Sequence, residues 1–199
     1  MKRTLTKILT TAAFALFLSV AGAAHAGPAT DVVKSKQTAL FDLLKQSTPE
    51  NEKKVAAIFD DLLDYGALAE ASLGTEWAGR TDAEKKEFTD LLKQLVKKGY
   101  EKNLKKTLDY NIEYVSEEQK DGAYIVTTKA KSKTDAREEP VEIKYKLAQK
   151  DSKWRVQDIT TEGVSLVSSY RSQFTKIIKK DGFPALITKM KDKIAKGDV

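Results

Sequence analysis

Histidine and cysteine are almost missing from this sequence. The 199 residues include no cysteine and a single histidine, His25, which lies in a segment that we expect to be removed. Without these side chains the remaining chain cannot use Ser-His-Asp or Cys-His catalysis, and it cannot bind zinc through the usual nitrogen and sulfur ligands. A disulfide is also excluded, so the fold must depend on a hydrophobic core.

Long apolar runs are scarce, and the one at the N-terminus is typical of a secretory signal peptide. Three basic residues precede a mostly apolar stretch over 8–20, and Ala24-His25-Ala26 matches a small-x-small cleavage site. We expect residues 1–26 to be the signal peptide, cleaved after Ala26, and residues 27–199 to form a single domain. Removal of the signal peptide lowers the net charge of the chain from +6 to +3, and a charge of +3 is too small to indicate nucleic-acid binding.

The hydrophobic periodicity predicts helices at both ends of the remaining chain. Apolar residues recur with a 3.6-residue period in six segments. Ser47 with Glu50, and Thr81 with Glu84, have the spacing of capping boxes, and Gly74 is suited to end a helix in a left-handed conformation. The expected helices cover about 31–46, 50–63, 64–73, 82–106, 166–178 and 183–195.

Between residues 110 and 157 the period changes to two, which predicts four strands in an antiparallel meander. One face of these strands is apolar and the other is charged, so helices should cover one face only. The apolar face is rich in aromatic residues. Two interpretations stay open, an ordinary packed core and the wall of a cavity. The aromatic residues concerned are Tyr110, Tyr114, Tyr124, Tyr145 and Trp154.

Asp158 is a polar residue at a position that should be buried. It lies two residues after Val156, so an uninterrupted strand would point its carboxylate inward, where it needs a partner. Arg171, on the helix expected to cover the sheet, is the candidate for a structural pair. An acid-base role for Asp158 is the alternative, although no second catalytic group accompanies it.

Several short motifs together resemble one known family. In chain order they are Leu73-Gly74-x-x-Trp77, Trp154-x-Val156-x-Asp158, Gly163-Val164-Ser165 and Tyr170-Arg171-Ser172-Gln173-Phe174. This series is similar to the signatures of the MlaC family of periplasmic phospholipid-binding proteins, and the match runs over about 32–190.

The resemblance implies an α+β fold in which a four-stranded antiparallel curved sheet, an NTF2-like cone, is covered on one face by helices and encloses an apolar cavity. It implies a periplasmic carrier of phospholipid that is not an enzyme and needs no cofactor or metal. The partners implied are an inner-membrane ABC transporter complex with a periplasmic lipid-transfer subunit and an outer-membrane lipoprotein/porin complex. The implied role is maintenance of outer-membrane lipid asymmetry.

The residues expected to line the acyl cavity share the apolar face of a predicted helix or strand, or lie in the family motifs. They are Phe59, Tyr65, Leu68, Leu73, Trp77, Phe88, Leu92, Tyr114, Tyr124, Val126, Ile143, Tyr145, Val156, Val164, Leu166, Tyr170 and Phe174.

Two other functions stay open from the sequence. A periplasmic module of the same fold could bind a different apolar molecule or a protein partner. A small hydrolase or isomerase could use Asp158 as its acid-base group.

Overall fold

The computed structural model describes residues 27–46 and 48–197. The predicted signal peptide, residues 1–26, therefore lies outside the described residues. Within them the chain forms six α-helices, two short 3₁₀ segments and five strands. In chain order these are α1 Pro28–Leu44, α2 Pro49–Leu62, α3 Tyr65–Leu73, 3₁₀ Gly74–Glu76, α4 Asp82–Leu104, 3₁₀ Lys105–Asp109, β1 Tyr110–Lys120, β2 Ala123–Ser132, β3 Val141–Lys150, β4 Lys153–Thr161, β5 Val164–Ser165, α5 Leu166–Asp181 and α6 Phe183–Lys196.

The five strands form one antiparallel sheet in the order β1-β2-β3-β4-β5. The predicted α+β class and the four long meander strands are confirmed. The fifth strand was not predicted, because its two residues are too short to show a period. Two-residue turns connect β1 to β2 and β3 to β4, and Asp121 and Gly122 both have positive φ, as such a hairpin turn requires. The longer connection over 133–140 joins β2 to β3.

Two β-bulges interrupt the alternation of side chains along the sheet. Val115 has no partner in the β1–β2 register, and Gln157 has none in the β3–β4 register. An extra residue reverses the direction of every later side chain in its strand. Beyond Val115, therefore, Glu117 lies on the same face as Val126.

The helices pack on the inner face of the sheet, defined here as the face that carries Val126 and Val156. Both side chains are fully buried. The helices α3, α4, α5 and α6 contact one another, and the Phe88 ring of α4 lies between Phe174 and Phe183 at centroid distances of 5.4 and 6.3 Å. This dense cluster forms one half of the core, and α1 with α2 covers the other half of the sheet.

The helix ends follow the sequence signals with one change. The Thr81–Glu84 capping box is confirmed, since the Glu84 N–H donates to Thr81 Oγ1 at 3.2 Å and the Thr81 N–H donates to Glu84 Oε2 at 2.8 Å. Gly74 ends α3 with φ of 57°. The N-cap of α2 is Thr48, whose hydroxyl accepts the Asn51 N–H. Ser47, the predicted N-cap, lies outside the described residues.

Candidate functional site

A cavity of about 200 Å³ lies between the inner face of the sheet and the α1–α2 pair. The end of α4 and the following 3₁₀ segment close one side of it. Most of its wall is aliphatic or aromatic, and none of the described residues that line it is charged. The lining residues are Val33, Gln37, Leu40, Phe41, Phe59, Leu62, Leu63, Tyr100, Thr107, Tyr110, Ile112, Ala130, Ile143, Tyr145, Ile159 and Thr161.

Helical periodicity explains the contribution of α1 to this wall. Val33, Gln37, Leu40 and Phe41 are spaced by four, three and one residues, which places them on one face of the helix. The opposite wall is built by alternate residues of the strands, which share a face of the sheet. The apolar lining is therefore a direct product of the two periodicities in the sequence.

Two hydrogen bonds made by Gln37 at the cavity wall join α1 to two strands. The Gln37 amide Nε2 donates to the hydroxyl of Tyr145 at 2.9 Å, and the Tyr114 hydroxyl donates to Gln37 Oε1 at 2.5 Å. Burial raises the pKa of Tyr114 to about 12, and burial with the nearby Tyr114 raises the pKa of Tyr145 to about 12. Both phenols therefore stay neutral at physiological pH and serve as hydrogen-bonding groups.

Of the predicted lining residues, three line this cavity. They are Phe59, Ile143 and Tyr145, and the Phe59 ring stacks on Tyr100 with a centroid distance of 5.2 Å. Tyr114 borders it through its bond to Gln37.

Most of the other predicted lining residues are part of the packed core. Those exposed by 9% or less are Tyr65, Leu68, Leu73, Phe88, Leu92, Val126, Val156 and Phe174. Trp77, Tyr124, Leu166 and Tyr170 are half-buried. Val164 lies on β5 and is 63% exposed.

A second depression lies between α4, α5 and α6. It has a volume of about 520 Å³, and its apolar floor includes Tyr170 and Phe174. Lys189, Lys193 and Lys196 are on its edge. The predicted lining residues are thus distributed over the small cavity, the packed core, this open groove and the remaining half-buried or exposed positions, and Phe174 belongs to both the core and the groove.

The predicted pair between Asp158 and Arg171 is replaced by two separate contacts. Because of the bulge at Gln157, Asp158 lies opposite Lys146 on the outer face of the sheet and Ile159 takes the inner position. Arg171 is exposed, and its Nε donates to the backbone carbonyl of Ala71 at 2.8 Å.

The carboxylate of Asp158 instead holds the start of α5. Its Oδ1 accepts the N–H of Val167 at 3.1 Å, and its Oδ2 accepts the hydroxyl of Ser165 at 2.6 Å. Ser165 is the N-cap of α5, and its hydroxyl accepts the Ser168 N–H. These contacts give the Asp158 and Gly-Val-Ser motifs a structural role in joining β4 to α5.

Four of the cavity residues that sequence reasoning missed lie on α1. Its apolar stripe was visible in the sequence, but the stripe alone does not show which part of the sheet the helix covers. Ile159 was missed for a different reason, since an uninterrupted strand would have pointed it outward. The period-two alternation could have identified three further lining residues, Tyr110, Ile112 and Ala130, because they lie on the apolar face of the predicted strands.

Within the described part of the chain, no helix is long and apolar enough to cross a membrane. The same residues include no group of three or more side chains suited to hold a metal ion. The apolar wall suits contact with an apolar molecule, with hydrogen bonds from the Gln37 amide and the tyrosine hydroxyls.

Comparison with known proteins gives a consistent result. A solved structure of a phospholipid-binding protein from Ralstonia solanacearum, in complex with a phospholipid, superimposes with a TM-score of 0.71 at 20% sequence identity, covering 87% of this chain and 100% of that one. No curated protein matches the chain. The family model described as MlaC protein matches residues 29–192. Because this match spans most of the sequence, the chain belongs to the MlaC family.

Proposed function

We propose that this protein is a periplasmic phospholipid carrier that shields acyl chains in the cavity between α1, α2 and the sheet. The observation that supports this most directly is the apolar lining, which includes no charged side chain among the residues that the structure describes. Membership of the MlaC family and the phospholipid in the related fold from Ralstonia solanacearum support the same assignment.

The size of the cavity bears on how lipid is bound. Its volume of about 200 Å³ is below the range of about 300–1,000 Å³ that ligand pockets usually have. A phospholipid with two chains therefore requires α1 and α2 to move away from the sheet. The ring packing of Phe88 with Phe174 and Phe183 can stay in place during this motion, because these three residues do not line the cavity. The stacking of Phe59 on Tyr100 would have to change.

The energetics of transfer suit a lining of this kind. Each buried methylene contributes about 0.8 kcal/mol, so a lipid with two long chains crosses water only when it is shielded. A wall about as apolar as a bilayer keeps extraction and release nearly balanced. Direction is then set by the membrane complexes on which the carrier docks.

The proposed route follows from the family. The carrier is exported by the signal peptide, cleaved after Ala26, and moves lipid between an outer-membrane lipoprotein/porin complex and an inner-membrane ABC transporter complex with a periplasmic lipid-transfer subunit. This transport maintains outer-membrane lipid asymmetry. Binding of another apolar ligand is the second candidate, since the wall has few groups that select a headgroup.

Catalysis is less well supported by the same geometry. The described lining residues include an amide and hydroxyl groups but no carboxylate or amine. Asp158, the acid-base candidate, lies on the outer face of the sheet and bonds to the start of α5. The arrangement favours binding over acid-base chemistry.

The test is mass spectrometry of the protein purified from the periplasm without detergent. We expect phospholipid in near-stoichiometric amount and an N-terminus at Gly27. A protein free of lipid, or one that carries a different apolar compound, would contradict the phospholipid assignment. A protein that starts at Met1 or stays in the cytosol would contradict export.

A further inference from the structure

Glu117 makes an unusual contact at the start of α1. The bulge at Val115 turns this side chain of β1 to the inner face, opposite Val126. Its Oε2 accepts both the backbone N–H and the hydroxyl of Thr30, each at 2.7 Å. A carboxylate distant in sequence thus supplies the cap of α1.

The first residues of α1 provide no side-chain cap of their own. Gly27 is the N-cap and has no side chain, and Pro28, at the first helical position, has no N–H. Neither residue can provide the usual side-chain cap. Thr30 is 2% exposed, so its N–H needs the bond from Glu117.

Gly27 lies directly against the second oxygen of the same carboxylate. A Cβ built on Gly27 would be 2.2 Å from Glu117 Oε1. By standard bond lengths the backbone nitrogen of Gly27 is then within about 5 Å of that oxygen. Oε2, on which both Thr30 bonds end, would lie 2.7 Å from the same Cβ, so Oε1 is the nearer of the two oxygens to Gly27.

We propose that the α-amino group created by cleavage after Ala26 forms an ion pair with Glu117 and fixes α1 on the sheet. Hydrolysis adds one water across the Ala26–Gly27 peptide bond, leaving a carboxylate on Ala26 and an amine on Gly27. That amine takes up a proton at neutral pH, because α-amino groups have a pKa of about 7.7–8.0. In the uncleaved chain the same nitrogen is an uncharged amide.

The pair would act on the cavity, because α1 supplies one of its walls through Val33, Gln37, Leu40 and Phe41. Removal of the signal peptide would therefore complete the attachment of this wall as well as release the protein. The physiological part of this inference rests on the proposed export and cleavage. The ion pair itself can be tested on protein of defined N-terminus, whether or not it carries lipid.

The experiment compares two starting points. One chain begins at Gly27, released from a fusion partner by a protease that cuts directly before it, and the other keeps Ala24-His25-Ala26. Each is made with Glu117 and with Glu117→Gln, which preserves an acceptor for Thr30 but removes the charge. Melting temperature is measured at neutral pH after removal of lipid, and lipid content is measured separately on undelipidated samples.

We expect the chain that begins at Gly27 to melt about 2–4 °C higher than the extended chain. Glu117→Gln should remove most of that difference. Equal melting temperatures for the two starting points, or an unchanged difference in Glu117→Gln, would overturn the proposal. Lipid absent from all samples would instead contradict the carrier function and leave the ion pair standing.

A second measurement covers the case in which Glu117→Gln does not fold. The rate at which a small acylating reagent modifies the α-amine is compared between the two starting points with Glu117 intact. We expect the Gly27 amine to react several-fold more slowly, because ion pairing favours its protonated, unreactive form. Equal rates would overturn the proposal.

Discussion

Two tryptophan substitutions on the same face of the sheet can separate the cavity from the core. Ile143 on β3 lines the cavity, whereas Val126 on β2 is fully buried and does not. We predict that Ile143→Trp gives a folded protein with little bound phospholipid. Val126→Trp should destabilise the fold, because its larger side chain has no open space beside it.

The expected loss of melting temperature is larger for Val126→Trp than for Ile143→Trp. Overpacking a closed core costs about 1–3 kcal/mol. In a chain of this size each kcal/mol lowers the melting temperature by about 2–4 °C, so Val126→Trp should lose about 2–12 °C. For Ile143→Trp the indole enters a space of about 200 Å³, and we expect a loss below about 4 °C.

The assay measures both quantities on each variant. Phospholipid per protein is determined by mass spectrometry on protein purified from the periplasm without detergent. Melting temperatures are determined after delipidation, because bound lipid itself stabilises the folded state. The wild-type chain provides the reference for both measurements.

Two results would refute this reasoning. A normal lipid content in a well-folded Ile143→Trp variant would mean that the acyl chains lie elsewhere. A loss of melting temperature as large as that of Val126→Trp would mean that the space at Ile143 does not accept added volume in solution.

Three other predictions test the contacts around the site. Asp158→Ala should lower the free energy of unfolding by about 1–2 kcal/mol, because it removes the support of the α5 cap. In a double-mutant cycle its effect should add to that of Arg171→Ala within about 0.5 kcal/mol. Strong coupling between the two substitutions would instead indicate that Asp158 and Arg171 form an ion pair. Tyr145 has a pKa of about 12 in the folded chain against 10 in the unfolded chain, so the stability gained from its buried neutral phenol is complete below pH 10 and is lost between pH 10 and 12. Tyr145→Phe should therefore show a smaller fall in melting temperature than the wild-type chain over that range. An equal fall would contradict the burial of the phenol. Gly27→Ala should destabilise the fold by about 0.5–2 kcal/mol, because its Cβ displaces the capping carboxylate. Gly99→Ala in α4, where an added Cβ meets no atom within 4 Å beyond its chain neighbours and its own helix backbone, should stabilise the fold by about 0.4–1 kcal/mol. Denaturant unfolding of both variants checks these opposite signs.

The sequence allowed most of the secondary structure to be predicted, because strong periodicity identifies a helix or strand wherever one face is buried. It could not separate residues that fill the core from residues that border empty space. Phe88 and Phe59 have similar patterns, yet Phe88 is enclosed by other rings and Phe59 faces the cavity. That difference depends on how far the helices lie from the sheet, which periodicity does not encode.

Asp158 was assigned to the wrong face for a local reason. The pattern Trp154, Val156, Asp158 continues the alternation in the sequence, and no glycine or proline marks the bulge at Gln157. The bulge is visible only in the register with β3. The alternation in the sequence therefore assigns the residues after the bulge to the wrong face of the sheet.

The bulges at Val115 and Gln157 also determine where the chain tolerates a change of length. Deleting either residue would remove the bulge and leave the later side chains of that strand on their present faces, because the remaining residues already alternate. Glu117 would still lie on the inner face near the start of α1, and Asp158 would still lie on the outer face beside the α5 cap. A deletion in the exposed connection over 133–140 also changes no parity. For homologues of this fold, a residue missing at either bulge therefore changes the local twist of the strand and not which side chains face the helices.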